Sequence, residues 1–144
     1  MKSLYDKDCK KMNFIHHIVL TVNDSKKSAD FYQKVLGWKI IEQKDEYAYL
    51  CPDSQEYPET KFMLVLGEAR DVKSPTSKFN RNNSGLDHFA FNVESVEELK
   101  NTETRLKDLG VEMEDGGITD DDFGGTAIFC TDPDGMKVEF HLDK

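Results

Sequence analysis

Two of the four histidines in this 144-residue chain, His17 and His88, open segments that read alike: IHHIVLTVNDSKKSADFYQKVLGWKI (15–40) and LDHFAFNVESVEELKNTETRLKDLGVEM (86–113). Side chains alternate between the faces of a strand. His17 therefore shares a face with Val19 and Thr21, opposite Ile18, Leu20 and Val22, and His88 shares one with Ala90 and Asn92, opposite Phe89, Phe91 and Val93. In KVEFHLD, Val138, Phe140 and Leu142 make the apolar set, so Glu139 and His141 face the other way. Two imidazoles and a carboxylate turned toward one concave surface are nitrogen and oxygen donors that suit Fe, Mn, Ni, Co or Zn as a divalent ion, with positions left open for substrate. The expectation is one divalent metal ion held by His17, His88 and Glu139, with His141, two residues beyond Glu139, as the candidate for proton transfer. His16 faces away from His17 and reads as structural or exposed.

The elements that must position these residues repeat. Each segment is strand, cap, helix, Leu-Gly stop and strand. Asn23 or Asp24 can cap the first helix and Gly37 end it; Ser95 with Glu98 three residues on forms a capping box for the second, which Gly110 closes. Ala29, Tyr32, Val35 and Leu36 in one helix, and Val96, Leu99, Leu106 and Leu109 in the other, predict apolar stripes toward a core. Period-two runs follow each helix, EYAYLCPD and KFMLVLGE, then GTAIFCTDPDG and KVEFHLD. The fold class is α+β: two βαβββ modules whose eight strands form a curved mixed sheet around a metal-binding cleft. Residues 1–12 read as an N-terminal arm, 13–67 as module 1, 68–85 as a Ser- and Asn-rich linker and 86–144 as module 2, together a single domain. Sheet edges call for cover, so a homodimer is expected.

Charge narrows the partners. The net charge is −9, and residues 83–144 carry five bases against sixteen acids, −11 in that stretch alone. Nucleic acid and an anionic membrane are excluded as partners by this repulsion, which leaves a small-molecule substrate. With no run of about 18 apolar residues and three widely spaced cysteines (9, 51 and 130), the chain reads as cytoplasmic. The acidic segment 112–122, flanked by glycines, reads as a solvated connection or a loop over the cleft mouth; Asp120 to Asp122 lack the alternation of a calcium loop.

The paired βαβββ pattern, the two histidine-bearing openings and TDPDGMKVEF resemble, over residues 14–142, the vicinal oxygen chelate superfamily, also called the glyoxalase/bleomycin-resistance/dioxygenase family. The resemblance implies that His17, His88 and Glu139 are the metal ligands. Glyoxalase I enzymes and methylmalonyl-CoA epimerases carry a Glu or Gln at a fourth position; setting KVEF on KFML places Met63 opposite Glu139, with Val65 the other cleft-side candidate. Neither moves a proton, which leaves His141 or Glu68. The extradiol dioxygenases have a Tyr where this chain has Phe129, and the fosfomycin-modifying thiol transferases end in a similar DPDGMKVEFH pattern. The reading is a divalent-metal-dependent lyase, isomerase or transferase of the glyoxalase-like kind acting on a small oxygen-chelating substrate. The alternatives are a metal-free ligand-sequestering protein of the bleomycin-resistance type and an extradiol-type dioxygenase.

Overall fold

A computed structural model describes residues 15–52, 62–69, 86–120 and 124–143; the expected arm and nearly all of the linker lie outside them. The first unit runs β1 (His17–Val22), α1 (Ser25–Leu36), β2 (Lys39–Gln43), β3 (Tyr47–Cys51) and β4 (Met63–Glu68). The second runs β5 (Phe89–Asn92), α2 (Val96–Asp108), a 3₁₀ turn (Glu114–Gly116), β6 (Thr119–Asp120), β7 (Thr126–Thr131) and β8 (Lys137–Leu142). The eight strands fall into two four-stranded mixed sheets, ordered β1-β4-β3-β2 and β5-β8-β7-β6, rather than one continuous sheet. In each, the first and last strands of the unit lie side by side and parallel, which sets the opening histidine segment beside the strand that bears Glu139 or its counterpart.

Both helices start where their caps dictate. Asp24 accepts the backbone N–H groups of Lys26 and Lys27, and Ser95 accepts that of Glu98. Gly37, at φ 69°, closes α1 in the left-handed conformation that only glycine takes without strain. Ala29, Tyr32 and Val35 are buried as the stripe requires. On α2 the buried line is Leu99, Thr102 and Leu106, while Val96 and Leu109 are exposed. These two share the face of that line but stand at its two ends, Val96 as the first helical residue and Leu109 as the C-cap.

The Asp-Pro-Asp-Gly turn joins the two units as well as the two strands. The Gly135 N–H donates to the Asp132 carbonyl and closes the turn. Asp132 Oδ1 accepts the N–H groups of Asp134 and Met136, and its Oδ2 accepts the Tyr32 hydroxyl of α1 at 2.7 Å. Asp134 accepts from both the backbone and the side chain of Asn23 and from the Ser28 hydroxyl. Burial pushes the Asp132 carboxyl above its usual value, and burial, then the neighbouring Asp132, pushes the Tyr32 phenol up as well. Tyr32 also packs against Phe89, and Trp38 against Phe91, so one apolar core runs through both units.

Candidate metal centre

Strand alternation delivers the inner-face residues as expected. In β1, Leu20 and Val22 are buried while His17, Val19 and Thr21 are exposed on the opposite side. In β5, Ala90 and Asn92 are exposed and Phe89 is buried. The central strand β8 differs: Lys137, Val138, Glu139 and Phe140 are all buried, so both of its faces are covered.

His88 and Glu139 come together. His88 Nε2 lies 2.9 Å from Glu139 Oε2, and His88 Nδ1 lies 2.7 Å from Asp87 Oδ1. A neutral imidazole has one N–H and one lone pair. Between two carboxylates the ring is satisfied in either of two ways: protonated, with both nitrogens donating, or neutral, with Nδ1–H given to Asp87 and a cation shared by Nε2 and the Glu139 oxygen. The spacing fits too, since two donors bonded at about 2.1 Å and at right angles to one ion stand about 3 Å apart. A carboxylate behind the ring nitrogen remote from the ion is the usual way a metal-binding histidine is oriented.

Glu139's other oxygen, Oε1, is 3.3 Å from His141 Nδ1, and His141 Nε2 is 3.0 Å from Asp143 Oδ1. His141 thus sits against the carboxylate that faces His88, as its place two residues along β8 requires. Phe129, across β7 from Glu139, meets the His88 ring edge-on with centroids 5.9 Å apart.

His17 is not part of this group. Among the described residues, no three His, Cys, Asp or Glu side chains gather as ligands for one ion. Instead His17 Nδ1 faces His16 Nδ1 at 2.9 Å, at the exposed start of β1. His16 therefore has a direct contact with a candidate ligand. Glu68 is not a free cleft base: it accepts the Ser25 backbone N–H and hydroxyl at the start of α1.

Strand register corrects the fourth position. Ala90 pairs with Glu139 across β5 and β8, and its counterpart in the first unit, Val19, pairs with Val65 across β1 and β4. Val65, not Met63, is the repeat partner of Glu139; Met63 sits opposite His17 and corresponds to Lys137. A side-by-side setting of short apolar strands slips by two residues without disturbing the in-out pattern, which is why the sequence leaves both positions open.

The family model of the Glyoxalase/Bleomycin resistance protein/Dioxygenase superfamily matches residues 14–140. The chain belongs to that superfamily. A metallothiol transferase FosB of Staphylococcus saprophyticus is 30% identical over 127 residues, spanning 88% of this chain and 75% of that protein. A lactoylglutathione lyase of Neisseria meningitidis is 32% identical over 136 residues, 86% of each. Among solved structures, a mutant of the fosfomycin resistance protein FosX of Listeria monocytogenes, complexed with Mn(II) and dihydroxypropylphosphonic acid, superposes at a TM-score of 0.64 with 23% identity, covering 90% of both chains. The superfamily fold is thus established for this chain, and these relatives carry names of different enzymes. No described helix is long and apolar enough to cross a membrane.

Two features escape the sequence reading: the Asp87 carboxylate behind His88, and Lys137, buried on the inner face of β8. The signal for Lys137 is present in the chain, since a residue two before Glu139 on a strand must share its face.

Proposed function

We propose that the chain is a divalent-metal-dependent enzyme that acts on a small substrate with neighbouring oxygens, and that its metal centre is built by two copies of the chain. The observation that carries this reading is the 2.9 Å approach of two donor atoms of metal-ligating type, His88 Nε2 and Glu139 Oε2, with Asp87 behind the ring. His88 and Glu139 would hold the ion from one chain, and His17 of a second copy would complete the set. Ile15, two residues before His17, and Val19, two after it, are 65% and 57% exposed, and Leu86, two residues before His88, is 57% exposed. Apolar residues bracketing both histidines form surfaces that a second copy covers, supporting a homodimer. The relatives' enzyme names, a transferase and a lyase, support the catalytic reading over ligand sequestration.

When bound, the ion supplies Lewis acidity to substrate oxygens and steadies negative charge formed on them. The protein's own groups do the rest. Glu139 and His88 fix the site on adjacent rigid strands, Asp87 orients the His88 ring, and His141, held between Glu139 and Asp143, is the group that moves a proton. Val65 at the fourth position offers no acid or base. Phe129 presents a hydrocarbon edge to His88 and has no hydroxyl to hand a proton to dioxygen, so a lyase, isomerase or transferase reaction is favoured over extradiol ring cleavage.

Mn(II) titration followed by its electron paramagnetic resonance signal tests the centre. Wild-type protein should bind close to one ion per chain, and His88→Ala should weaken binding by more than the roughly 10–100-fold typical of losing an outer partner, with the circular dichroism spectrum unchanged. Equal Mn(II) binding by wild type and His88→Ala would remove the metal reading and leave the sequestering protein.

A further inference from the structure

Lys137 is the unusual residue of the inner face. Its side chain is only 5% exposed, on the same side of β8 as Glu139 and two residues from it. Its ammonium lies 4.6 Å from the centre of the Phe129 ring and 2.9 Å from Glu114 Oε2. Phe129 in turn touches His88, so one aromatic ring spans the charged group and the candidate ligand.

Burying an ammonium is costly unless it is paired, and an apolar residue of the same shape is often at least as stable. The first unit contains that alternative: Met63, the repeat counterpart of Lys137, puts an unbranched apolar chain of similar length, partly buried, at the same register position. Packing in this architecture therefore does not require a lysine.

The carboxylate that meets Lys137 comes from outside the sheet. Glu114 is about half exposed and belongs to the 3₁₀ turn between α2 and β6. Asp115, next to it, holds a left-handed φ of 52°, a conformation uncommon for a residue with a Cβ. The segment is tied at its far end, where the Ile118 N–H reaches Glu103 of α2. A surface carboxylate is thus inserted against a buried cation beside the candidate metal ligands by a strained turn.

We propose that Lys137 is the residue that binds an anionic group of the substrate, and that Glu114 occupies its ammonium until substrate displaces it. This deepens the metal reading above and rests on it. The substrate class follows: a small molecule with two adjacent oxygens for the ion and, within about 7 Å of them, the span of two strand residues, a carboxylate, phosphonate or phosphate. The two carboxylates nearest the ammonium do not bar this: Glu114 is the group displaced, and the charge of Glu139 is offset by the ion it would hold, while charges beyond about 8 Å are screened at physiological salt. Displacing Glu114, already about half exposed, returns its carboxylate to water.

The test compares two probes, lactate and malate, on Mn(II)-loaded protein by calorimetry. Both offer the same hydroxy-carboxylate chelate, and malate adds a second carboxylate. Wild type should bind malate at least tenfold more tightly than lactate. Lys137→Met, which copies Met63, should bring the two affinities within twofold while Mn(II) affinity stays within threefold. Glu114→Gln should tighten malate binding at least threefold and leave lactate unchanged. Equal affinities in wild type, a malate preference that survives Lys137→Met, or malate binding unaltered or weakened by Glu114→Gln would each overturn the proposal. The Mn(II) titration separates this from failure of the metal reading. If no ion is held by His88, malate titrated into the metal-free protein still reports Lys137, and its binding must fall at least fivefold in Lys137→Met.

Discussion

On the inner face of β8, Lys137, Glu139 and His141 stand in a row; on β4, the matching strand of the first unit, the row is Met63, Val65 and Gly67. Both strands sit parallel to the strand that His17 or His88 opens or immediately precedes, and both bury the same kind of apolar side chain toward their helix. The architecture is thus held by one face of each sheet, and the chemistry is free to diverge on the other. The second unit has gathered the charged groups, with its histidine tied into them. The first has kept an exposed histidine flanked by exposed Ile15 and Val19. On the proposed reading such units are complementary, one supplying a charged half-site and the other a single ligand on an apolar surface.

The comparison can be sharpened by making the first unit resemble the second. Val65→Glu puts a carboxylate at the register position of Glu139, and in the assembled centre it should tighten Mn(II) binding about tenfold or more, the order of one added close charge pair. Met63→Glu, displaced by two residues, should leave Mn(II) affinity within about threefold. The opposite ranking would mean that the repeat correspondence read from strand register is wrong.

A smaller effect tests how the units are held. Tyr32→Phe removes the hydroxyl that Asp132 accepts at 2.7 Å. A buried hydrogen bond of this kind contributes about 1–2 kcal/mol, so thermal unfolding should shift down by about 3–6 °C. A shift below 1 °C would mean the contact between turn and helix adds nothing to stability.

The smallest effect is in pH. Asp132 is held above the usual carboxylate value of 3.8, mainly by burial. The folded state therefore binds this proton more tightly than the unfolded chain, so its contribution to stability is full below that value and is lost as pH rises through the folded pKa. Asp132→Asn, which cannot ionise, should gain on wild type in melting temperature as pH goes from 4 to 7. A difference that stays constant across that range would contradict the shift.

The helices, their caps and the in-out alternation are legible because each rests on local chemistry: Asp24 and Ser95 satisfy orphan N–H groups within three residues, and period two separates His17 from Ile18 wherever the strand lies. Glu139 and His141 on one face of β8 follow from the same rule. What sequence alone leaves open depends on partners distant in the chain. The choice between Met63 and Val65 needs the pairing of β4 with β1, since a two-residue slip keeps the pattern. Asp134 reads as a turn residue, and its bonds to Asn23 and Ser28, more than a hundred residues away, exist only in the folded chain. Glu68 reads as a spare base in the sequence, and in the fold Ser25 occupies it. The same holds for His17, whose sequence equivalence to His88 is plain and whose separation from it within one chain is a matter of how the sheets are set.

That separation is where the account is most directly tested. His17→Ala and His88→Ala chains, each tagged differently, are co-expressed, and the mixed dimer is purified through both tags. If the centre is built from two chains, neither homodimer binds Mn(II) tightly, while the mixed dimer regains one tight site per pair of chains, formed by His17 of one and His88 with Glu139 of the other. No recovery in the mixed dimer, or a 16.5 kDa monomer that binds one Mn(II) with wild-type affinity, would contradict a centre shared between copies.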